Sequence, residues 1–171
     1  EYESVADVPA GFRGGPFQIP FEALLHKDVD NLILAEKNIS DSRLANGATR
    51  LQPITMLIGQ AAGTIAALSS RNNLLPKNLS LDIIQDSLLE AGSYLYGFTD
   101  VTVDSPYFRA IQKVTIKGYM SGYGNSYNFG PEDNLDRAQI SVVLSKFKNL
   151  PIYEPQIPTF TDVSQNTWYY K

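Results

Sequence analysis

Apolar positions along this chain fall into short stripes separated by turn-forming residues. The first is "DNLILAE", where Leu32 to Ala35 reads as a short buried strand entered through a turn at Lys27 to Asn31. A polar stretch, "KNISDSRLANGATR", follows. A helix is then expected from Pro53, because a proline in a first turn gives up only an N–H that has no intrahelical partner. Ile54, Ile58, Ala61, Ile65 and Leu68 recur at helical spacing on one face, while Gly59, Ala62, Gly63 and Ala66 line another. The pattern predicts a helix packed closely on two sides.

A further helix is expected after Ser80, a good N-cap, with Ile84, Leu88 and Ala91 on one face and Gly92 past its end. Ser105-Pro106 predicts a third helix, cap followed by first-turn proline, with Tyr107, Ile111 and Val114 as its stripe and Gly118 as its stop. The stretch from Gly118 to Pro131 is turn-rich, carrying Gly122, Gly124 and Gly130. Ile140, Val143, Leu144 and Phe147 mark a last helix starting near Asn134 to Asp136. Pro151, Pro155 and Pro158 then predict an extended linker.

Composition changes near residue 97. Gly/Pro-rich loops and a small-residue helix lie before it, and aromatic-rich segments lie after it, with "GSYLYGF" (Gly92 to Phe98) as the joint. The second part contains a repeat. Aligning Phe160 with Phe98 matches "FTDVSQNTWYYK" to "FTDVTVDSPYFR", so that Asp162 stands for Asp100 and Tyr169 for Tyr107.

The totals narrow the classes of function. With 171 residues the chain holds one comfortable core or two small ones. Its 43% hydrophobic and 19% charged residues are those of an ordinary globular protein. A net charge of −4 without a basic stripe argues against nucleic acid as a partner. The absence of cysteine removes disulfides, thiolate metal sites and a Cys nucleophile. The apolar run Ile54 to Leu68 is too short and too interrupted for a transmembrane segment. His26, the one histidine, falls on a turn and is expected to have no catalytic role. No Ser–His–Asp set, helical carboxylate pair or His-Glu-x-x-His motif is present, so no catalytic or metal-binding residue is assigned.

The unit from Phe98 to about Lys148 runs "FTDV" and then "AIQKVTIKGYMSGYGNSYNFGPEDNLDRAQISVVLSKF". It resembles the S-layer homology domain. That family opens on an aromatic-Xaa-Asp-Val motif, continues with a helix ending in Gly and a glycine turn, and begins its last helix at a Thr-Arg-Ala-Glu-like motif. The resemblance implies a bacterial cell-envelope anchor that binds an anionic secondary cell-wall polysaccharide. Arg137 stands at the Arg of the last motif, with Asp136 and Gln139 in place of the Thr and Glu. It is the candidate glycan-binding residue, since a guanidinium fork holds a carboxylate through two parallel bonds. In the plainer alternative, Asn134 and Asp136 cap the helix and Arg137 pairs with a neighbouring acid.

The segment "FQIPFEALLHKDVDNLILAEKNISDSRLANGATRLQPITMLIGQAAGTIAAL" resembles the C-terminal end of a family of FAD-dependent oxidoreductases, through "IPFEALL", "VDNLILAEKNIS", "ATR" and "GQAAGTIAAL". The resemblance implies FAD as cofactor, with Arg50, Gln52, Gly59 and Gln60 near the flavin and Asn38 and Ser40 in the preceding loop. Alternatively, Gly59, Ala62 and Gly63 serve only helix packing and Arg50 is an ordinary surface or salt-bridged residue. "GFRGGPF" (Gly11 to Phe17) lacks the Gly-x-Gly-x-x-Gly spacing that holds the ADP half of a dinucleotide.

The expected fold class is therefore an α/β fragment, comprising the C-terminal strand and helices of a flavin-binding Rossmann-like domain, followed by a mainly α-helical S-layer homology domain. The expected segments are 1–96 (oxidoreductase), 97–150 (S-layer homology), 151–159 (linker) and 160–171 (the start of a second repeat). Since the chain starts at Glu1 and stops within its second repeat, we expect a longer protein whose missing N-terminal portion partners this one and binds the rest of FAD. The expected function is that of an exported, envelope-attached flavin oxidoreductase, with a non-catalytic wall-polysaccharide-binding or structural module as the alternative.

Overall fold

The computed structural model describes residues 17–124, 127–153, 155, 157 and 159–170. The "GFRGGPF" glycines and Pro158 lie outside them. The chain divides into two units, Glu1–Leu95 and Tyr96–Lys171.

The first unit begins with a 3-10 turn, Phe21–Leu24, entered through Pro20 with φ −61°. Leu25 then forms an antiparallel bridge with Ile33, and Leu34 donates its N–H to the Leu24 carbonyl at 2.7 Å. The pairing stops there. The expected strand at Leu32 to Ala35 is not formed, and the described residues hold no strand longer than this bridge, so the α/β expectation is corrected to a helical unit. The cause is local. The partner segment comes directly out of a 3-10 turn, and Ala35 leads directly into another, Glu36–Asn38, so neither side offers a second ladder residue. The returning chain is fastened instead by a bond from the Ser40 N–H to the Ala23 carbonyl at 2.9 Å.

Helix α1 (Arg43–Thr49) starts at Ser42, whose Oγ accepts the Ala45 N–H at 3.2 Å. Asp41 closes the same turn by accepting from Asn46 and Thr49 side chains. Helix α2 (Gln52–Asn72) carries the expected proline in its first turn. It stops where Asn73 takes a left-handed conformation, φ 51°, and returns its N–H to Ser69 and Ser70. Helix α3 (Leu81–Glu90) lies against α2. Ser80 occupies its N-cap position, but the Ser80 side chain makes no capping bond, contrary to expectation. Gly92 follows the helix with φ 77°, as its position predicts.

The core of this unit is Leu24, Ile39, Ile58, Ala62, Ile65, Leu68, Leu79, Ile84 and Leu88. Helix α2 buries Thr55, Ile58, Ala62, Ile65 and Leu68, so the apolar stripe is displaced slightly from Ala61 toward Ala62. The small-residue face is not packed on a second side, since Gly63 and Ala66 are exposed. Among the described residues no single helix is long and apolar enough to cross a membrane; α1 and α2 pass that test only as a pair bent by 95°.

In the second unit, α4 (Phe108–Ile116) starts later than Ser105-Pro106 predicts. Those residues form a turn in which Ser105 accepts the Phe108 N–H through its carbonyl at 3.0 Å. The shift re-registers the buried face. Phe108, Ile111 and Gln112 are buried, while Tyr107, expected in the stripe, is exposed. Gly118 ends the helix with φ 71°, and Tyr119 bonds back to the Val114 carbonyl at 2.9 Å.

Helix α5 (Arg137–Phe147) starts at Asp136, as expected. A reciprocal capping box holds it: Asp136 accepts the Gln139 N–H at 2.7 Å, and the Gln139 side chain accepts the Asp136 N–H at 2.9 Å. Its stripe is present but not buried. Ile140, Leu144 and Phe147 are exposed, and only the Tyr119 ring, 5.4 Å from that of Phe147 and roughly perpendicular to it, is stacked on the face. Helical periodicity is thus obeyed while no residue of α5 is fully buried.

Candidate functional site

Each candidate residue of the first unit takes its place from α2 and the segment folded against it. The 3-10 turn Glu36–Asn38 packs on α2, which brings Asn38 alongside that helix, while Ser40 follows two residues later and is fastened to Ala23; both are exposed. At the crossing, a Cβ on Gly59 would meet the Glu36 side chain at 3.9 Å, an ordinary contact. Gly59 therefore fits this approach without being required by it. Glu36 itself is left-handed, φ 57°, a conformation that costs a non-glycine residue free energy.

Arg50 and Gln52 stand at the leading end of α2 and are exposed. Arg50 is the C-cap of α1, bonded through its N–H to the Asn46 carbonyl. Its guanidinium makes no ion pair among the described residues. Leu51, the N-cap of α2, supplies no side-chain cap. The N–H groups of Gln52 and Ile54 thus lack intrahelical acceptors, and the cationic Arg50 precedes them in the chain. Thr55 does not cap them: its hydroxyl donates to the Gln52 carbonyl at 2.8 Å. Such an end suits an anionic or electron-rich group. Gly59 and Gln60 lie about 11–12 Å further along the axis, so one small group cannot touch both ends, whereas an elongated cofactor could. Gln52 and Gly59, two turns apart, share a face. His26 sits in the Leu25–Ile33 turn, where its Nδ1 accepts the Asp28 N–H at 3.1 Å.

In the second unit, the opening motif and the glycine turn form one device. Thr99 donates its N–H to the Tyr127 carbonyl at 2.8 Å and its hydroxyl to Asn128. Asp100 accepts the N–H groups of Phe129 at 2.9 Å and Gly130 at 2.8 Å. Partial desolvation tends to raise the Asp100 pKa, but these donors outweigh it and hold the carboxyl below its ordinary value. Val101 is buried, and the Phe98 ring lies between those of Tyr96 and Phe129, at 4.5 and 5.2 Å. Across the turn, a hydrogen bond to Asp133 pushes the Tyr123 phenol above its ordinary value.

Arg137 is the first residue of α5, and its side chain is 73% exposed. Its guanidinium pairs with the carboxylate of Asp162, the repeat counterpart of Asp100. That bond, the largest effect on either group, raises the Arg137 pKa and lowers that of Asp162. Tyr169 adds a smaller electrostatic contribution on Arg137. Asp136 and Gln139 are both committed to the capping box.

Sequence reasoning missed the roles of Asp100 and Gln112. Gln112 lies at helical spacing from Phe108, on the buried face, and that spacing was the available signal. Among the described residues no group of three His, Cys, Asp or Glu side chains is placed to hold a metal ion.

Residues 8–88 match the family described as FAD dependent oxidoreductase, and residues 97–140 match the S-layer homology domain. The chain joins an FAD-oxidoreductase-like region to an S-layer homology domain. No curated protein and no solved structure matches it. The oxidoreductase-like match contains the whole of α1 and α2, with Asn38, Ser40, Arg50, Gln52, Gly59 and Gln60. The S-layer homology match contains the Asp100 device, α4 and Arg137, and ends before the second "FTDV".

Proposed function

We propose that this chain is the C-terminal part of an envelope-attached flavoprotein. Its first unit contributes to an FAD site, and its second attaches the enzyme to the bacterial cell wall. The observation that carries the proposal is the joining of the two family matches in one chain, in that order. The local chemistry supports it. The uncapped leading end of α2, with exposed Arg50 and Gln52 beside it, offers N–H donors and positive charge to the pyrimidine edge of a flavin or to a pyrophosphate. Asn38 and Ser40 would add polar contacts from the neighbouring loop. FAD, when bound, supplies electron and hydride transfer through its ring system, and the protein orients it and tunes its electronics. The ADP half would be held by a part of the protein outside this chain.

The test is the absorbance of the purified parent polypeptide. A yellow protein, or one that regains flavin absorbance on reconstitution with FAD, agrees with the proposal. A colourless protein that fails to reconstitute ends it. Arg50→Ala is expected to weaken FAD retention about tenfold, the loss of one charge-assisted contact.

Attachment is proposed to run through Arg137. Its exposure at the start of a firmly capped helix presents a guanidinium to carboxylate groups of a wall-linked polysaccharide. This arm stands even if the first unit proves a scaffold without flavin, which is the second reading: a non-catalytic wall-binding module.

A further inference from the structure

Two copies of one motif make different bonds in this chain. Asp100 of the first "FTDV" is consumed by the N–H groups of Phe129 and Gly130. Asp162 of the second copy is committed to the Arg137 guanidinium. The segment carrying Asp162 has a fastening of its own, from the Tyr170 hydroxyl to the Pro155 carbonyl at 2.6 Å. The result is a carboxylate held in front of the one guanidinium proposed to meet the wall.

We infer that Asp162 is an internal competitor for Arg137, occupying it with the same chemical group, a carboxylate, that an acidic wall polysaccharide would present. The inference rests on the proposed wall-binding role of Arg137 and adds its regulation. An acidic glycan displaces the Asp162 carboxylate, and the second "FTDV" is released when the glycan binds. The pair is suited to exchange. Its side chains are 73% and 58% exposed, and an ion pair in that setting is weak enough to yield to a multivalent ligand. Asp136, the nearest carboxylate in sequence, is engaged instead in the capping box, where its Oδ1 accepts the Gln139 N–H at 2.7 Å. Exchange conserves charge at Arg137, as one carboxylate replaces another.

Retention of the chain on isolated bacterial sacculi that keep their wall-linked polysaccharide tests this, with Asp162→Asn, Arg137→Ala and the double variant compared. The competitor predicts that Asp162→Asn raises retention about two- to fivefold, the range set by an exposed ion pair. It also predicts that Arg137→Ala and the double variant lose retention equally. Unchanged or reduced retention of Asp162→Asn, while Arg137→Ala still loses it, overturns the competitor and leaves the wall-binding role intact. Retention indifferent to Arg137→Ala, or none in the parent chain, overturns the wall-binding role and the competitor with it. Thermal unfolding of each variant serves as the folding control, since both side chains are exposed.

Discussion

The side-chain amide of Gln112 is fully buried and pairs with both backbone groups of Tyr96: its Oε1 accepts the Tyr96 N–H at 2.7 Å, and its Nε2 donates to the Tyr96 carbonyl at 2.8 Å. A side chain here takes the part of a neighbouring strand, fastening the entry segment of the S-layer homology domain to α4. Gln112→Leu keeps the volume and removes both bonds, leaving two partly buried backbone groups unpaired. The expected cost is about 2–4 kcal/mol to this unit. For a unit of this size that is a fall in Tm of roughly 10 °C or more, read by calorimetry.

Acidification should loosen the same unit through Asp100. Its folded pKa lies below the ordinary 3.8 because of the Phe129 and Gly130 donors. A carboxyl depressed in the folded state contributes its stability in full above its unfolded pKa and loses it as the pH falls through the folded pKa. Stability should therefore decline from about pH 4 downward. Asp100→Asn removes that slope and costs about 1 kcal/mol at neutral pH, a figure reduced for the solvent exposure of the carboxylate. Chemical denaturation at a series of pH values checks both. An unaltered slope in Asp100→Asn would assign the acid sensitivity to other groups.

The helices were the legible part of this sequence, and the reasons differ from one to the next. Pro53, Gly92 and Gly118 mark ends through backbone geometry that depends on few neighbours, so their positions survive into the structure. Asp136 was legible as a cap for the same reason. Leu32 to Ala35 misled because four apolar residues carry no period, and a strand is decided by a partner rather than by its own composition. The stripe of α5 gave the right helix but not its exposure, since periodicity reports which residues share a face and not what covers it. The partners of Asp100 and Gln112 were opaque because each bonds to backbone far along the chain, and backbone groups leave no trace in residue identity. At the candidate site, the position of Arg137 was legible, and a neighbouring acid was one of two readings open. That the acid would be Asp162, across the proline-rich linker, was not.

Two glycines of the turn are required for different reasons. A Cβ on Gly122 would fall 2.3 Å from the Asn128 carbonyl oxygen and 2.9 Å from the Phe98 ring. One on Gly130 would meet Asp133 at 2.4 Å and the Tyr123 ring at 2.5 Å, on a backbone with φ 76°. Gly122→Ala should be the more damaging, because a carbonyl oxygen is moved only with its backbone, whereas Asp133 and Tyr123 can swing aside. Costs of about 3 kcal/mol and about 2 kcal/mol are expected. Gly118→Ala is the control: φ is 71° but no atom lies within 4 Å, so only the left-handed penalty of about 1 kcal/mol remains. Equal effects at all three positions, measured as shifts in the denaturation midpoint, would mean that backbone conformation alone sets the turn.

Ile65 separates packing from position on α2. It is 1% exposed, at the centre of the face that meets α3 and the Leu24–Ile39 segment, whereas Met56 on the same helix is 75% exposed. Truncating Ile65 to Ala removes buried methyl and methylene groups and leaves a cavity, at a cost of about 3–4 kcal/mol. Met56→Ala should change stability by no more than about 0.5 kcal/mol. Amide hydrogen exchange along α2 and α3 reads the difference locally: Ile65→Ala should speed exchange in both helices, and Met56→Ala in neither. If Met56→Ala also accelerated exchange, its side chain would be covered in solution. The exposed face of α2 would then be an occupied surface, and the leading end of the helix, with Arg50 and Gln52, would be correspondingly less open to a cofactor.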